Sequence, residues 1–287
     1  MRNVLVKIAF SALMGNTKNI LYIILFAVHS LMGQNGNITI TESSFVIPSE
    51  ILKEDRVCLI SLPEAYHDPE NAGKQYQLLI LLDGSVHFKT ASELMHSACS
   101  DKSQNNIIPE TIIVAIENVD RERDFTVTKL KTKRVNTMGG GKLFLDFIQK
   151  ELVPYLDKNY STAPLRTLVG HSLGGLLTIN SYMDSNSIFN AYIAMDPSIW
   201  WDEETMKTKV ADLSQTSFHK KLYIATANQG EANYERNKIR HEQLYDLINQ
   251  KSNEKANIKL EYFENENHRS VPFIALEEGL NYLHREN

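Results

Sequence analysis

Cysteine is scarce: Cys58 and Cys99 are the only two in 287 residues. That excludes a disulfide framework, and without C-x-x-C or histidine-rich spacing the sequence offers no metal-ligand cluster. The two thiols are compatible with one disulfide in an oxidising compartment or with two buried free thiols. Basic residues are outnumbered 30 to 35, for a net charge of −5, and no Arg/Lys-aromatic cluster is present. A nucleic-acid-binding surface is thereby excluded. No apolar run approaches the ~20 residues of a membrane-spanning helix. No repeat, linker or low-complexity stretch divides the chain, and 43% apolar with 23% charged residues is the balance of a folded domain rather than a disordered one.

The first 41 residues hold Arg2, Lys7 and Lys18 and no acid, so the chain from Glu42 onward stands at −8. Lys18 precedes the short apolar run Ile20 to Val28, and the small residues Ser30 and Gly33 follow it. A basic region, an apolar core and a small-residue exit predict a secretory signal over residues 1–33, cleaved near Gly33. Met14 is an alternative start that would shorten the lead-in. The expected product is a secreted or periplasmic protein with no stable membrane association beyond that signal. Residues 37–287 are then expected to form a single domain.

Alternation over Asn37 to Pro48 and a second β-like run over Arg56 to Leu62 predict antiparallel strands at the start of the sheet. Gln77 to Leu82 and Thr111 to Ile116 are continuous apolar runs, as expected of strands covered on both faces. Further strands are predicted at Arg166–Val169, Ala191–Met195, Leu222–Ala227 and Ile258–Phe263. Helices are predicted after Asp83-Gly84-Ser85 to about Ala98, over Lys142–Asn159 with Pro154 breaking its ladder, about Tyr234–Lys251, and about Val271–His284. Strands alternating with helices imply parallel pairing. The whole predicts a mostly parallel eight-stranded α/β-hydrolase sheet with helices on both faces. The short interval between the strands ending at Met195 and starting at Leu222 leaves no room for a large lid domain.

The chemistry centres on Gly170-His171-Ser172-Leu173-Gly174, where an apolar strand runs into a helix. This is a nucleophile elbow: Ser172 sits on a strained turn that exposes its hydroxyl, and a side chain at Gly170 or Gly174 would crowd the neighbouring backbone. A serine hydroxyl needs a base within reach. In this fold the base comes last in the chain order Ser, then Asp/Glu, then His, which selects His268 from the nine histidines. Glu231, directly after the Leu222–Ala227 strand, is the expected acid; Glu235 and Asp196 are alternatives. The oxyanion hole calls for two backbone N–H groups, one from Leu173 and one from Ser85, with Gly84 permitting close approach. Asp83 is expected to tie down that loop. Arg121 and Trp200 are candidates for contact with an acyl or aryl group; the rival readings are a salt bridge of Arg121 with Asp124 and a packed Trp200. His171 is a candidate substrate neighbour behind the serine.

Four segments, Leu81-Leu82-Asp83-Gly84, Asn118 to Asp124, Gly170 to Gly175 and Asp196 to Trp201, resemble the esterase family of α/β-hydrolases that includes enterochelin-type siderophore esterases, esterase D-like thioesterases, mycolyltransferases and some feruloyl esterases. The resemblance implies Ser172 and His268 as nucleophile and base, Glu231 as acid, and Leu173 and Ser85 as oxyanion amides. It departs at Asp196, a position often serine in the family, and in lacking a separate N-terminal binding domain. The expected activity is serine carboxylic-ester hydrolysis through an acyl-enzyme, on small or siderophore-like esters, with no metal or organic cofactor. Feruloyl or acetyl esterase, thioesterase or acyltransferase activity, and an inactive binding module on the same scaffold, are the alternatives.

Overall fold

The computed structural model describes residues 41–99, 108–213, 220–251 and 257–284, excepting the side chains of 202–204 and 207. The expected signal segment and its cleavage point lie outside them. Residues Thr41–Asn287 form one compact unit. It is built on eight strands: β1 (Glu42–Ser49), β2 (Glu54–Ser61), β3 (Tyr76–Leu81), β4 (Thr111–Ile116), β5 (Thr162–His171), β6 (Ala191–Met195), β7 (Lys221–Ala227) and β8 (Ile258–Phe263). They lie side by side in the order β1-β2-β4-β3-β5-β6-β7-β8. β1 and β2 pair antiparallel with each other, as do β2 and β4, and every other pairing is parallel. This is the α/β-hydrolase fold expected from the alternation of apolar runs and amphipathic segments.

Helices cover both faces because the central strands are apolar on both. Leu79 and Leu81 of β3 and Ile113 and Ala115 of β4 meet α1 (Gly84–Ala98) and the C-terminal helix, Val271–His284. Their neighbours Leu78, Ile80, Ile112 and Val114 point to the opposite core, which Phe144, Phe147, Leu177 and Ile248 fill. Each such side chain removed from water contributes about 1.5–3 kcal/mol. After β4 comes a short helix, α2 (Arg121–Phe125). Then α3 (Gly141–Phe147) and α4 (Val153–Asn159) are joined by a π-helical turn, Ile148–Leu152. The break predicted at Pro154 is this turn: proline has no N–H to give and its ring crowds the carbonyl four residues back. Glu151, placed by the turn, accepts the amides of Glu50 and Ile51 at 3.0 Å and so caps the β1–β2 hairpin.

The chain leaves β3 toward β4 on one side, while β5 flanks β3 on the other. The carboxyl ends of β3 and β5 therefore border a topological switch point, where open α/β sheets place their ligand crevice. Ser172 directly follows β5 and opens α5 (Leu173–Tyr182). Between β6 and β7 the described residues form a 3₁₀ turn, Ile199–Asp202, and one helix, α6 (Glu203–Asp212), so no lid domain intervenes. After β7, the single helix expected from Tyr234 begins instead as a π turn, Glu235–Ile239, before α7 (Arg240–Lys251), and α8 (Val271–His284) closes the chain. Both cysteines are free. Burial pushes the Cys58 thiol up to about 12 and that of Cys99 to about 11.

Candidate active site

Ser172 has φ 58° and ψ −116°, a backbone region that costs an L-residue about 1–3 kcal/mol. Bonds on both sides hold it there: its N–H donates to Met195 O at 3.0 Å, and its own carbonyl accepts the amides of Leu176 and Ser198 at 2.9 and 3.0 Å. A Cβ on Gly170 would lie 2.4 Å from the Gly174 carbonyl carbon, so the elbow closes only with glycine at 170. The expected crowding is one-sided. A Cβ on Gly174 would make ordinary contacts of 3.4 Å with Leu82 and Asp83.

Ser172 Oγ lies 3.0 Å from His268 Nε2, and His268 Nδ1 lies 2.5 Å from Asp196 Oδ2. Asp196 is 1% exposed, at the end of β6 with φ 44°. Its carboxylate also accepts Ala227 N–H and Asn237 Nδ2 at 2.9 Å and Gln229 Nε2 at 2.6 Å. Burial pushes this carboxyl up. The bond from His268, the neighbouring His241 and the bonds from Ala227 and Asn237 outweigh it and hold the group below the usual carboxylate range. An ionised Asp196 can only accept, so Nδ1 carries the His268 proton and Nε2 presents a lone pair to Ser172. Gln229 Nε2, 3.3 Å from Nδ1, then donates to Asp196, because the protonated Nδ1 cannot accept.

Two further histidines brace this line. Burial, with the charges of His268 and His87, lowers His171 to about 4, so it is neutral at pH 7 and its Nε2–H donates to His268 O at 2.8 Å. Burial likewise lowers His241, which lies wholly inside the protein. Its Nε2 is 2.7 Å from Pro197 O and its Nδ1 2.8 Å from Thr226 Oγ1. A neutral ring fits both contacts if Nε2–H donates to the carbonyl and Thr226 donates to Nδ1. His241 thus grips the residue after Asp196. Ser198 Oγ lies 3.2 Å from Ser172 Oγ. Ser172, Asp196, His268, Trp200 and Arg236 line one cleft of about 270 Å³.

A family model described as "Putative esterase" matches residues 49–271. The chain belongs to that family. This family member is similar to ferri-bacillibactin esterase BesA of Bacillus subtilis strain 168, at 28% identity over 184 residues, 57% of this chain and 63% of the relative. It is also similar to siderophore triacetylfusarinine C esterase of Aspergillus fumigatus, at 30% identity over 152 residues, 50% of this chain and 51% of the relative. The chain spans less than two thirds of the length of these curated relatives. Among solved structures it is similar to an IroE-like serine hydrolase from Shewanella oneidensis, with TM-score 0.73 and 30% identity over 85% of this chain and 80% of that one.

Within this esterase-family fold the expected residues fall out unevenly. Ser172 and His268 meet. Glu231, the expected acid, does not join them: it stands exposed in a 3₁₀ turn beyond Gly230, whose φ of 79° turns the chain at that point. Glu235 is also exposed, and among the described residues no hydrogen bond links either glutamate to His268. The carboxylate at Nδ1 is Asp196, which corrects the preferred choice to one of the alternatives.

Leu173 and Ser85 lie in the first turns of α5 and α1, where N–H groups lack intrahelical acceptors. Arg121 forms neither an Asp124 salt bridge nor a free contact in the cleft. It clamps Asp83 through Nε at 2.7 Å and Nη2 at 3.0 Å, and reaches His171 O at 3.3 Å. Asp124 is taken by Arg56 and Arg123. Asp83 does tie down its loop, accepting Asn118 as well. Gly84 permits close approach of the Ile116 carbonyl, 2.8 Å from where a Cβ would be. His171 bonds to the His268 carbonyl, and Trp200 lines the cleft. The sequence reading missed Gln229, Asn237, His241 and Arg236. The signal for Gln229 was its place just beyond the end of β7; Arg236, Asn237 and His241, inside the predicted helix, carried none.

Proposed function

We propose that the protein is a serine carboxylic-ester hydrolase acting on siderophore-type esters, with Ser172, His268 and Asp196 as its triad. The continuous line of hydrogen-bond distances from Ser172 Oγ through His268 to the buried Asp196 carries this reading. His268 Nε2 takes the serine proton as Oγ attacks the ester carbonyl. Asp196 holds the ring in the Nδ1–H tautomer and stabilises the imidazolium without taking the proton. The amides of Leu173 and Ser85 receive the developing oxyanion. His268 then protonates the departing alkoxide, leaving an acyl-Ser172 ester. Water, deprotonated by the same nitrogen, releases the acid and restores the serine. The neutral His171 beside His268 supports the cycle, since it adds no positive charge against the imidazolium. The similarity to a ferri-bacillibactin esterase and to a siderophore triacetylfusarinine C esterase supports the substrate class. We read residues 1–33 as the export signal of this enzyme, to be checked by N-terminal sequencing of the mature protein.

The test is turnover of p-nitrophenyl butyrate, methyl ferulate, an acyl thioester and a trilactone siderophore by the wild type and Ser172→Ala. The expected result is hydrolysis that the substitution abolishes, with the trilactone preferred. Activity persisting in Ser172→Ala overturns the nucleophile, and preference for another ester overturns the substrate class.

A further inference from the structure

Arg236 lies over the face of Trp200, its guanidinium carbon 3.6 Å from the ring centroid, and both residues line the cleft that holds Ser172 and His268. Other arginines of the fold have carboxylate partners: Arg56 with Asp124, Arg121 with Asp83, Arg123 with Glu54 and Arg166 with Asp157. Arg236 is exposed and makes no ion pair among the described residues. Stacking occupies the face of a guanidinium and leaves the donors at its edge free, in a plane the indole fixes. The position is fixed from below as well. The next residue, Asn237, is buried and donates to both Asp196 Oδ1 and Ala227 O, and Trp200 sits in the 3₁₀ turn that follows Asp196 by three residues. Arg236 is therefore referenced to the same carboxylate that orients His268. The carboxylate of Asp196 is enclosed by its own donors, so among the described residues lining the cleft the exposed fixed charge is the Arg236 cation, in a protein of net charge −5.

We propose that Arg236 on Trp200 is an oxyanion-recognising subsite, and that the preferred esters carry a second, negatively charged group, of which a carboxylate is the test case. The proposal rests on the esterase reading and adds the charge of the substrate to it. A planar fork held on an aromatic face matches a carboxylate bidentately and loses little freedom on binding.

The test compares p-nitrophenyl hemisuccinate with p-nitrophenyl butyrate, acyl chains of equal length that differ in the terminal carboxylate. In the wild type, kcat/KM should favour the hemisuccinate, and about 0.5 M NaCl should erode the preference. In Arg236→Gln the hemisuccinate-to-butyrate ratio should fall roughly tenfold, and in Arg236→Lys by less, since an ammonium keeps the charge and loses only the planar fork. A ratio within twofold of the wild type in Arg236→Gln overturns the subsite.

A second arm needs no turnover. The chain has two tryptophans, Trp200 and Trp201, so intrinsic fluorescence reports on this wall. In Ser172→Ala, monomethyl succinate should quench it at concentrations several-fold lower than dimethyl succinate, and adding Arg236→Gln should abolish the difference. Equal affinities for the two probes overturn the subsite even if the wild type hydrolyses nothing. Absence of hydrolysis with a retained binding difference overturns only the esterase reading.

Discussion

His268 Nδ1 and Asp196 Oδ2 lie 2.5 Å apart across 72 residues of chain, the shortest link in the line that ends at Ser172. The aspartate is enclosed by four donors and the histidine is open to the cleft, so the pair joins a fixed charge to a ring that must exchange protons. If Asp196 orients the base, Asp196→Asn should lower kcat by about 10³- to 10⁴-fold, because the amide favours the wrong imidazole tautomer. The exposed Glu231→Gln should change kcat no more than about twofold. Steady-state kinetics on p-nitrophenyl butyrate decide it: a collapse in Glu231→Gln with Asp196→Asn intact reverses the assignment.

Behind that pair stands His241, enclosed between Thr226 and the Pro197 carbonyl. Thr226→Val keeps the shape but removes the hydroxyl that fixes the ring. The Asp196 turn then loses one of its guides, and small displacements of a catalytic group are costly. We expect kcat to fall about tenfold with KM little changed, and Thr226→Ser to restore most of it. Equal changes in kcat and KM, or no rescue by serine, would mark the chain as structural only.

The fold was legible because its central strands are buried on both faces and read as unbroken apolar runs; β4, β6 and β8 begin and end where the sequence places them. Ser172 and His268 were legible from the glycine pattern and chain order. The acid was not. Glu231 and Asp196 both follow strand ends, and the choice turns on the φ of 79° at Gly230 and on four donors converging from Gln229, Ala227, Asn237 and His268. Arg121 was misjudged for a similar reason: its partner Asp83 is 38 residues away, while Asp124 is near in sequence but already held by Arg56. Arg236 was invisible because a π turn, not helical periodicity, aims it at Trp200.

The elbow supplies a stability prediction. Gly170→Ala places a methyl group 2.4 Å from backbone that cannot move without displacing Ser172, and should destabilise the protein by about 3 kcal/mol or more. Gly174→Ala meets only ordinary contacts in α5, where alanine is the better helix former, and should stay within about 1 kcal/mol of the wild type. Urea unfolding followed by circular dichroism compares them. Similar losses at the two positions would mean that the close approach at Gly170 does not govern the turn.

Acid sensitivity follows from the buried histidines. Burial, reinforced by His268 and His87 and opposed by Asp196, lowers His171 to about 4, whereas in the unfolded chain it titrates near its ordinary value of 6.5. Between those values the unfolded chain binds the extra proton, so stability rises with pH there. The contribution is complete above about pH 6.5 and is lost as the pH falls toward about 4, amounting to about 2 kcal/mol by pH 5. His87, His241 and His284 are lowered in the same direction, chiefly by burial, and add to the slope. Asp196, held below 3.8, releases its own contribution only under more acidic conditions. The wild type should therefore lose stability between pH 7.5 and 5 in urea titrations, and His171→Gln, which has no proton to gain there, should lose about 2 kcal/mol less over the same interval. Parallel pH slopes for the two proteins would show that His171 takes up its proton as readily in the folded state as in the unfolded one.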